Sequence, residues 1–215
     1  MRPPAATIRT QVGLPLRLAD GYTAGALVVS FDGLVDGREH LAFALGDRTA
    51  PGSRRGVPLI RLHSECLTGD VFGSQRCDCG PQLREAVERI AGAGGYLLYL
   101  RQEGRGIGLY SKLEAYALQD TGIDTYEANL ALGHAEDERS YVAAAQMLHA
   151  LGAPRVALLS NNPDKARQLR LCGVTVVSQL RTGVHVSAAN VRYLEAKARR
   201  GNHLLDLPVP ALRLR

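Results

Sequence analysis

Three apolar runs of strand length, "LIRLH" (59–63), "GYLLYL" (95–100) and "RVALLS" (155–160), each break off into a polar loop, with stretches of helical periodicity between them. Buried strands joined through helices pair in parallel, and in such sheets ligands collect beyond the carboxyl ends of the strands. "PQLREAVERIAGAGG", "LYSKLEAYALQDTG", "RSYVAAAQMLHALG" and "PDKARQLRLCG" supply the helical pattern, and "VTVVSQL" reads as a further strand. The first third has no such helices. "ATIRTQVGLPLRL", "GYTAGALVVSFDGL" and "EHLAFALGD" are strand-like runs broken only by Gly and Asp, the pattern of an antiparallel ribbon. The expected fold is α/β: a single domain over 1–215 with a mixed β-sheet flanked by helices and mainly antiparallel N-terminal strands. Its core spans about 8–180, with a C-terminal helix ("SAANVRYLEAKARRG") and tail over 187–215.

The chain carries a net charge of +5, which points to anionic partners such as phosphates. Its basic residues are dispersed and not interleaved with aromatics, which argues against nucleic acid. "MRPPAATIRT" lacks an apolar signal core, and no run approaches the roughly 18 apolar residues of a membrane span. A cytoplasmic location is expected, where thiols stay reduced.

The loop after "LIRLH" reads "SECLTGDVFGSQRCDCG" and spaces Cys66, Cys77 and Cys79 as C-x10-C-x-C. Thiolates suit zinc, and three protein ligands with an open fourth position is the catalytic arrangement, whereas a structural site takes four. The alternative is His63 closing a structural site. Cys172, in the apolar "LRLCG", reads as a small core residue. Three thiolates on a divalent ion leave a formal charge of about −1, so acidification of a bound water is weaker than at a three-histidine site. A neighbouring proton acceptor or oriented phenol then matters, and Glu65, Tyr116 and Asp137 are candidates. "HSE" also fits the H-x-E of nucleobase deaminases, but their P-C-x-x-C half is missing.

"EGRGIG" sets Gly104, Gly106 and Gly108 around Arg105 just before a helix, a place for an anion or simply a glycine-rich turn. "SNNPDK" offers Ser160 and Lys165 at a strand-to-helix turn, for a polar ligand or a surface cap. In "GHAEDERSY", Arg139 can clamp a phosphate, while the acids beside it read equally as a solvated helix start.

In their order, "RLHSECLTGDVFGSQRCDCG", "RQEGRGIGLYSKLEAYALQDTGIDTYEAN" and "LLSNNPDK" resemble the GTP cyclohydrolase II family, from about "IRTQVG" to "VTVVSQL". The resemblance implies a Zn2+ enzyme of riboflavin biosynthesis. It opens the imidazole ring of GTP at C8, releasing formate and, with Mg2+ on the triphosphate, pyrophosphate. The product is 2,5-diamino-6-hydroxy-4-(5-phosphoribosylamino)pyrimidine. It implies Cys66, Cys77 and Cys79 as metal ligands and GTP contacts at Arg61, Leu62, His63, Ser64, Glu65, Gln82, Glu103, Gly104, Arg105, Thr125, Ser160 and Lys165. It further implies Asp137 as proton acceptor, Arg139 as attacking or holding the α-phosphate, Tyr116 as the active-site tyrosine, and a homodimer. Departures are small: Ser160 stands where Thr is common, and Gln75 where an apolar residue is expected. Two other readings stand beside it: a paralogue that stops at the formamide or serves a specialised metabolite, and a nucleotide-binding regulator with structural zinc.

Overall fold

The computed structural model describes residues 3–50, 56–191 and 194. Its strands are β1 (Thr7–Arg17), β2 (Thr23–Asp32), β3 (Leu41–Leu45), β4 (Leu59–Ser64), β5 (Gly95–Leu100), β6 (Arg155–Leu159) and β7 (Thr175–Leu180). Its helices are α1 (Leu67–Asp70), α2 (Cys79–Ala93), α3 (Leu109–Asp120), α4 (Thr125–Ala131), α5 (Val142–Ala150) and α6 (Pro163–Leu171). The strands form one mixed sheet in the order β1-β2-β3-β5-β4-β6-β7. The first three strands and β5 pair antiparallel, and β5, β4, β6 and β7 pair parallel. The switch follows from the connections. A tight turn at Asp20–Gly21 returns β1 onto β2, whereas α2 and α6 carry the chain back between parallel neighbours.

Alternation along the strands divides the core into two layers. Ile60, Leu62, Leu98 and Leu100 pack with α5 and α6, and Leu59 and Leu97 pack with Ala86, Val87 and Ile90 of α2. Residues Ala143 to Leu148 of α5 are all buried, including Gln146, whose amide bonds to Pro4 O, Gly33 O and Val35 N and ties the N-terminal segment to the body. Cys172 sits in the first of these layers, as read from its apolar helix.

Three details differ from the sequence reading. The second helix starts at Cys79, so a candidate ligand occupies its first turn; Pro81 is tolerated there because first-turn N–H groups have no intrahelical partner. Helix α4 was not anticipated, although Asp124 and Glu127 form a reciprocal capping box at its start. Helix α5 starts at Val142, later than "RSYVAAAQMLHALG" suggests. The expected C-terminal helix and tail lie, beyond residue 191 and apart from Leu194, outside the described residues.

Candidate metal and nucleotide site

The carboxyl ends of β4, β5, β6 and β7 lie along one edge of the sheet. The polar loops that leave them line one pocket, closed opposite by α3 and the N-terminus of α2. On one side of β4 lies β5 and on the other β6, the reversal of strand order at which open α/β sheets form their crevice. Of the residues singled out above, Arg61, His63, Ser64, Glu65, Gln82, Glu103, Gly104, Arg105, Tyr116, Thr125, Arg139, Ser160, Lys165 and the three cysteines line this pocket. Leu62 and Asp137 do not. Period-two alternation turns the Leu62 side chain into the core, and only its carbonyl serves the site, accepting from Lys165 Nζ at 2.6 Å.

Cys66, Cys77 and Cys79 place their Sγ atoms within 4.8 Å of one another, with Cys66 and Cys77 3.7 Å apart. This closeness depends on two glycines. A Cβ at Gly69 would stand 2.7 Å from Cys77 Sγ and 3.1 Å from Cys66 Sγ, and a Cβ at Gly80 would stand 2.5 Å from Gly69 O. Bare backbone at both positions lets α1 press against the start of α2. Soft donors at this spacing in a reduced chain fit zinc. Hydrogen bonds from Cys77 and Cys79, then Lys112, hold the Cys66 thiol well below its ordinary pKa, while Cys77 is pushed up to about 11 by its bond to Cys66.

His63 is not part of the trio. Its Nε2 lies 3.0 Å from Asp70 Oδ1, and because a carboxylate only accepts, Nε2 carries the proton. Asp70 also accepts from Tyr99 Oη and from the Cys66 N–H, and Tyr99 stacks on His63. Burial lowers the His63 pKa and Asp70 only partly opposes it, so the ring is neutral and its buried Nδ1 is an unpartnered acceptor. The Glu65 carboxylate pairs with Arg101 at 2.8 Å. Burial raises the Tyr116 pKa, which keeps the phenol protonated, a donor beside the sulfurs.

Further cations line the pocket. Arg105 adopts a left-handed backbone, φ 63°, rare for a residue with a Cβ. Its carbonyl accepts from Glu138 N–H at 3.0 Å, and its guanidinium lies 4.1 Å over the Tyr126 ring. Arg139 pairs with Asp137 through Nε at 2.8 Å and through Nη2. Burial acts against the Asp137 carboxylate, but Arg139 overcomes it and holds the pKa below the usual range. Arg61 donates to Gln82, which in turn donates to Asp78.

Sequence reasoning passed over Lys112, Gly69, Asp70, Gln102 and Tyr126. Lys112 carried a usable signal, since it stands one helical turn before Tyr116 on α3 and therefore on the same face.

A family model of GTP cyclohydrolase II matches residues 17–181. Among curated proteins, GTP cyclohydrolase-2 of Vibrio cholerae serotype O1 is 50% identical over 184 residues, 85% of this chain and 90% of that protein. GTP cyclohydrolase-2 of Psychromonas ingrahamii is 45% identical over 201 residues, 94% and 98% of the two chains. The riboflavin biosynthesis protein RibBA of Bacillus velezensis is 51% identical over 179 residues, 83% of this chain and 44% of that longer protein.

Proposed function

The chain belongs to the GTP cyclohydrolase II family, and from that premise we propose that it hydrolyses GTP at C8 of the guanine, releasing formate and pyrophosphate as an early step of riboflavin biosynthesis. The observation that carries this reading is one pocket lined both by a sulfur trio and by Arg105, Arg139 and Lys165. That pairing of thiol donors and cations suits a substrate that carries both a reactive ring and a triphosphate.

Cys66, Cys77 and Cys79 would hold Zn2+, which when bound supplies Lewis acidity and an acidified water. Tyr116 donates its phenolic proton toward the reacting centre or orients water there. Neutral His63, fixed by Asp70, offers Nδ1 as an acceptor and needs no role as a ligand. Arg105 and Arg139 bind the triphosphate of the Mg2+–GTP substrate, offsetting its charge. Once phosphate occupies Arg139, the Asp137 carboxylate is relieved of its partner and becomes a stronger base, consistent with a role as proton acceptor. The protein acts as a cytoplasmic homodimer in this reading. The position of His63 outside the sulfur trio counts against the regulator with a four-ligand structural zinc.

Incubation with GTP, Mg2+ and Zn2+ is expected to give formate and pyrophosphate in equal amounts, and Cys77→Ser to release no formate. A product that retains the C8 carbon by mass would mark the formamide-forming paralogue instead. Full formate release by Cys77→Ser would overturn the metal mechanism.

A further inference from the structure

The unused feature closest to the chemistry is Lys112, a cation only 7% exposed on α3. An ammonium has three N–H donors, and each has an acceptor here: Cys66 Sγ at 3.2 Å, Thr68 Oγ1 at 2.9 Å and Glu103 Oε1 at 2.8 Å. The group is therefore fixed as a tripod and has no donor left for the nucleotide. Glu103 is fixed as well, since its Oε2 accepts from the Leu67 N–H at 2.7 Å and its Oε1 also accepts from the Gly104 N–H at 3.1 Å. Its charge is shared with backbone amides of the cysteine loop and of the turn after β5, and it keeps a buried ammonium charged. The directed charge-assisted contact to sulfur remains with Lys112.

A centre of three thiolates carries excess negative charge, which weakens the metal as a Lewis acid. We propose that Lys112 is a positioning residue that draws charge off the Cys66 thiolate, keeping a three-sulfur zinc centre electron-poor enough for hydrolysis while holding Cys66 in place. This rests on the zinc reading above. It assigns Glu103 a second duty, that of bracing Lys112 between the cysteine loop and α3. Partners that orient metal ligands typically change affinity or activity by about 10–100-fold when lost.

The test compares the wild type with Lys112→Met, which keeps length and loses charge, and Lys112→Gln, which keeps a neutral donor. Zinc retention is measured by competition with a chelator, the sulfur-to-metal charge-transfer band is recorded after cobalt(II) substitution, and kcat and KM are measured for GTP. The Met variant is expected to hold zinc about 10–100-fold less tightly. Its cobalt band moves to lower energy, because the sulfur lone pair is no longer lowered by a cationic hydrogen bond, and kcat falls while KM stays put. The Gln variant shows a smaller band shift in the same direction, and it decides the matter if the Met variant does not fold. Unchanged zinc affinity and an unmoved band, with only a lower melting temperature, would reduce Lys112 to a structural ion pair and overturn the proposal. A wild-type protein that holds no zinc through these cysteines would overturn the metal reading itself.

Discussion

Two parts of the pocket, the sulfur cluster (its sulfur end) and the loop of Asp137 and Arg139 (its cationic end), are built on different principles. At the sulfur end Cys66 and Cys77 are 5% and 6% exposed and the Asp70 carboxylate 3%, and hydrogen bonds fix His63 Nε2, the Cys66 amide and the Lys112 ammonium. At the cationic end the Asp137 side chain is 36% exposed and Glu138 37%, while Arg139 is 13% exposed. A metal tolerates little error in ligand position, so its surroundings are rigid and dry. A polyphosphate brings its own charge, and a guanidinium on a loop can trade a carboxylate partner for phosphate oxygens. Substitutions at the first end should therefore cost chemistry with little change in substrate binding, and substitutions at the second should do the reverse.

The sharpest way to break this contrast is Gly69→Ala. The backbone there is helical and alanine suits a helix, so the variant should still fold. The added Cβ, however, would press on Cys77 Sγ from 2.7 Å. Zinc content after dialysis is expected to fall, with kcat reduced by about 100-fold and KM for GTP nearly unchanged, as for lost support of a metal ligand. Retained zinc and full turnover would mean that the sulfur end is looser than its packing implies.

Arg139→Lys probes the opposite end. Lysine keeps the charge and loses the planar fork that matches phosphate oxygens. KM for GTP should rise by about tenfold, equivalent to about 1.4 kcal/mol, with zinc content untouched. A fall in kcat at constant KM would assign Arg139 to the chemical step.

The contrast also explains what could be read from the chain. The strands and the loops beyond them were legible because each ends where apolar residues give way to Gly, Asn and charge, as at "YLRQEGRG" and "LLSNNPDK". The cysteines were legible because thiols are scarce and their spacing is chemically narrow. Leu62 was assigned to nucleotide as part of a motif, yet strand alternation alone places it opposite Arg61 and His63. Helix α4 announces itself through Asp124 and Glu127, a local signal that was simply overlooked. The supports of the sulfur end are of another kind. Lys112 meets Cys66 across 46 positions and Tyr99 meets Asp70 across 29, and no local pattern encodes contacts made only when strands and helices assemble. Asp137 and Arg139 lie two residues apart and were each singled out, though not as a pair.

The smallest effect expected is that of Asp137→Asn on stability, and its pH dependence tests whether the cationic end is as solvent-coupled as it looks. Burial alone would raise the Asp137 pKa, but its pairing with Arg139 lowers it below the unfolded value. A carboxyl depressed on folding stabilises the native state above its unfolded pKa, about 3.9, and loses that contribution as pH falls through the folded pKa. The wild type should therefore melt slightly above Asp137→Asn at neutral pH, and the two curves should converge below about pH 4. The gap should also shrink in high salt, because the pair is more than a third exposed on the aspartate side and screening reaches it. A gap that persists at low pH and in salt would show that Asp137 is held by packing, and the cationic end would then share the rigid construction of the sulfur end.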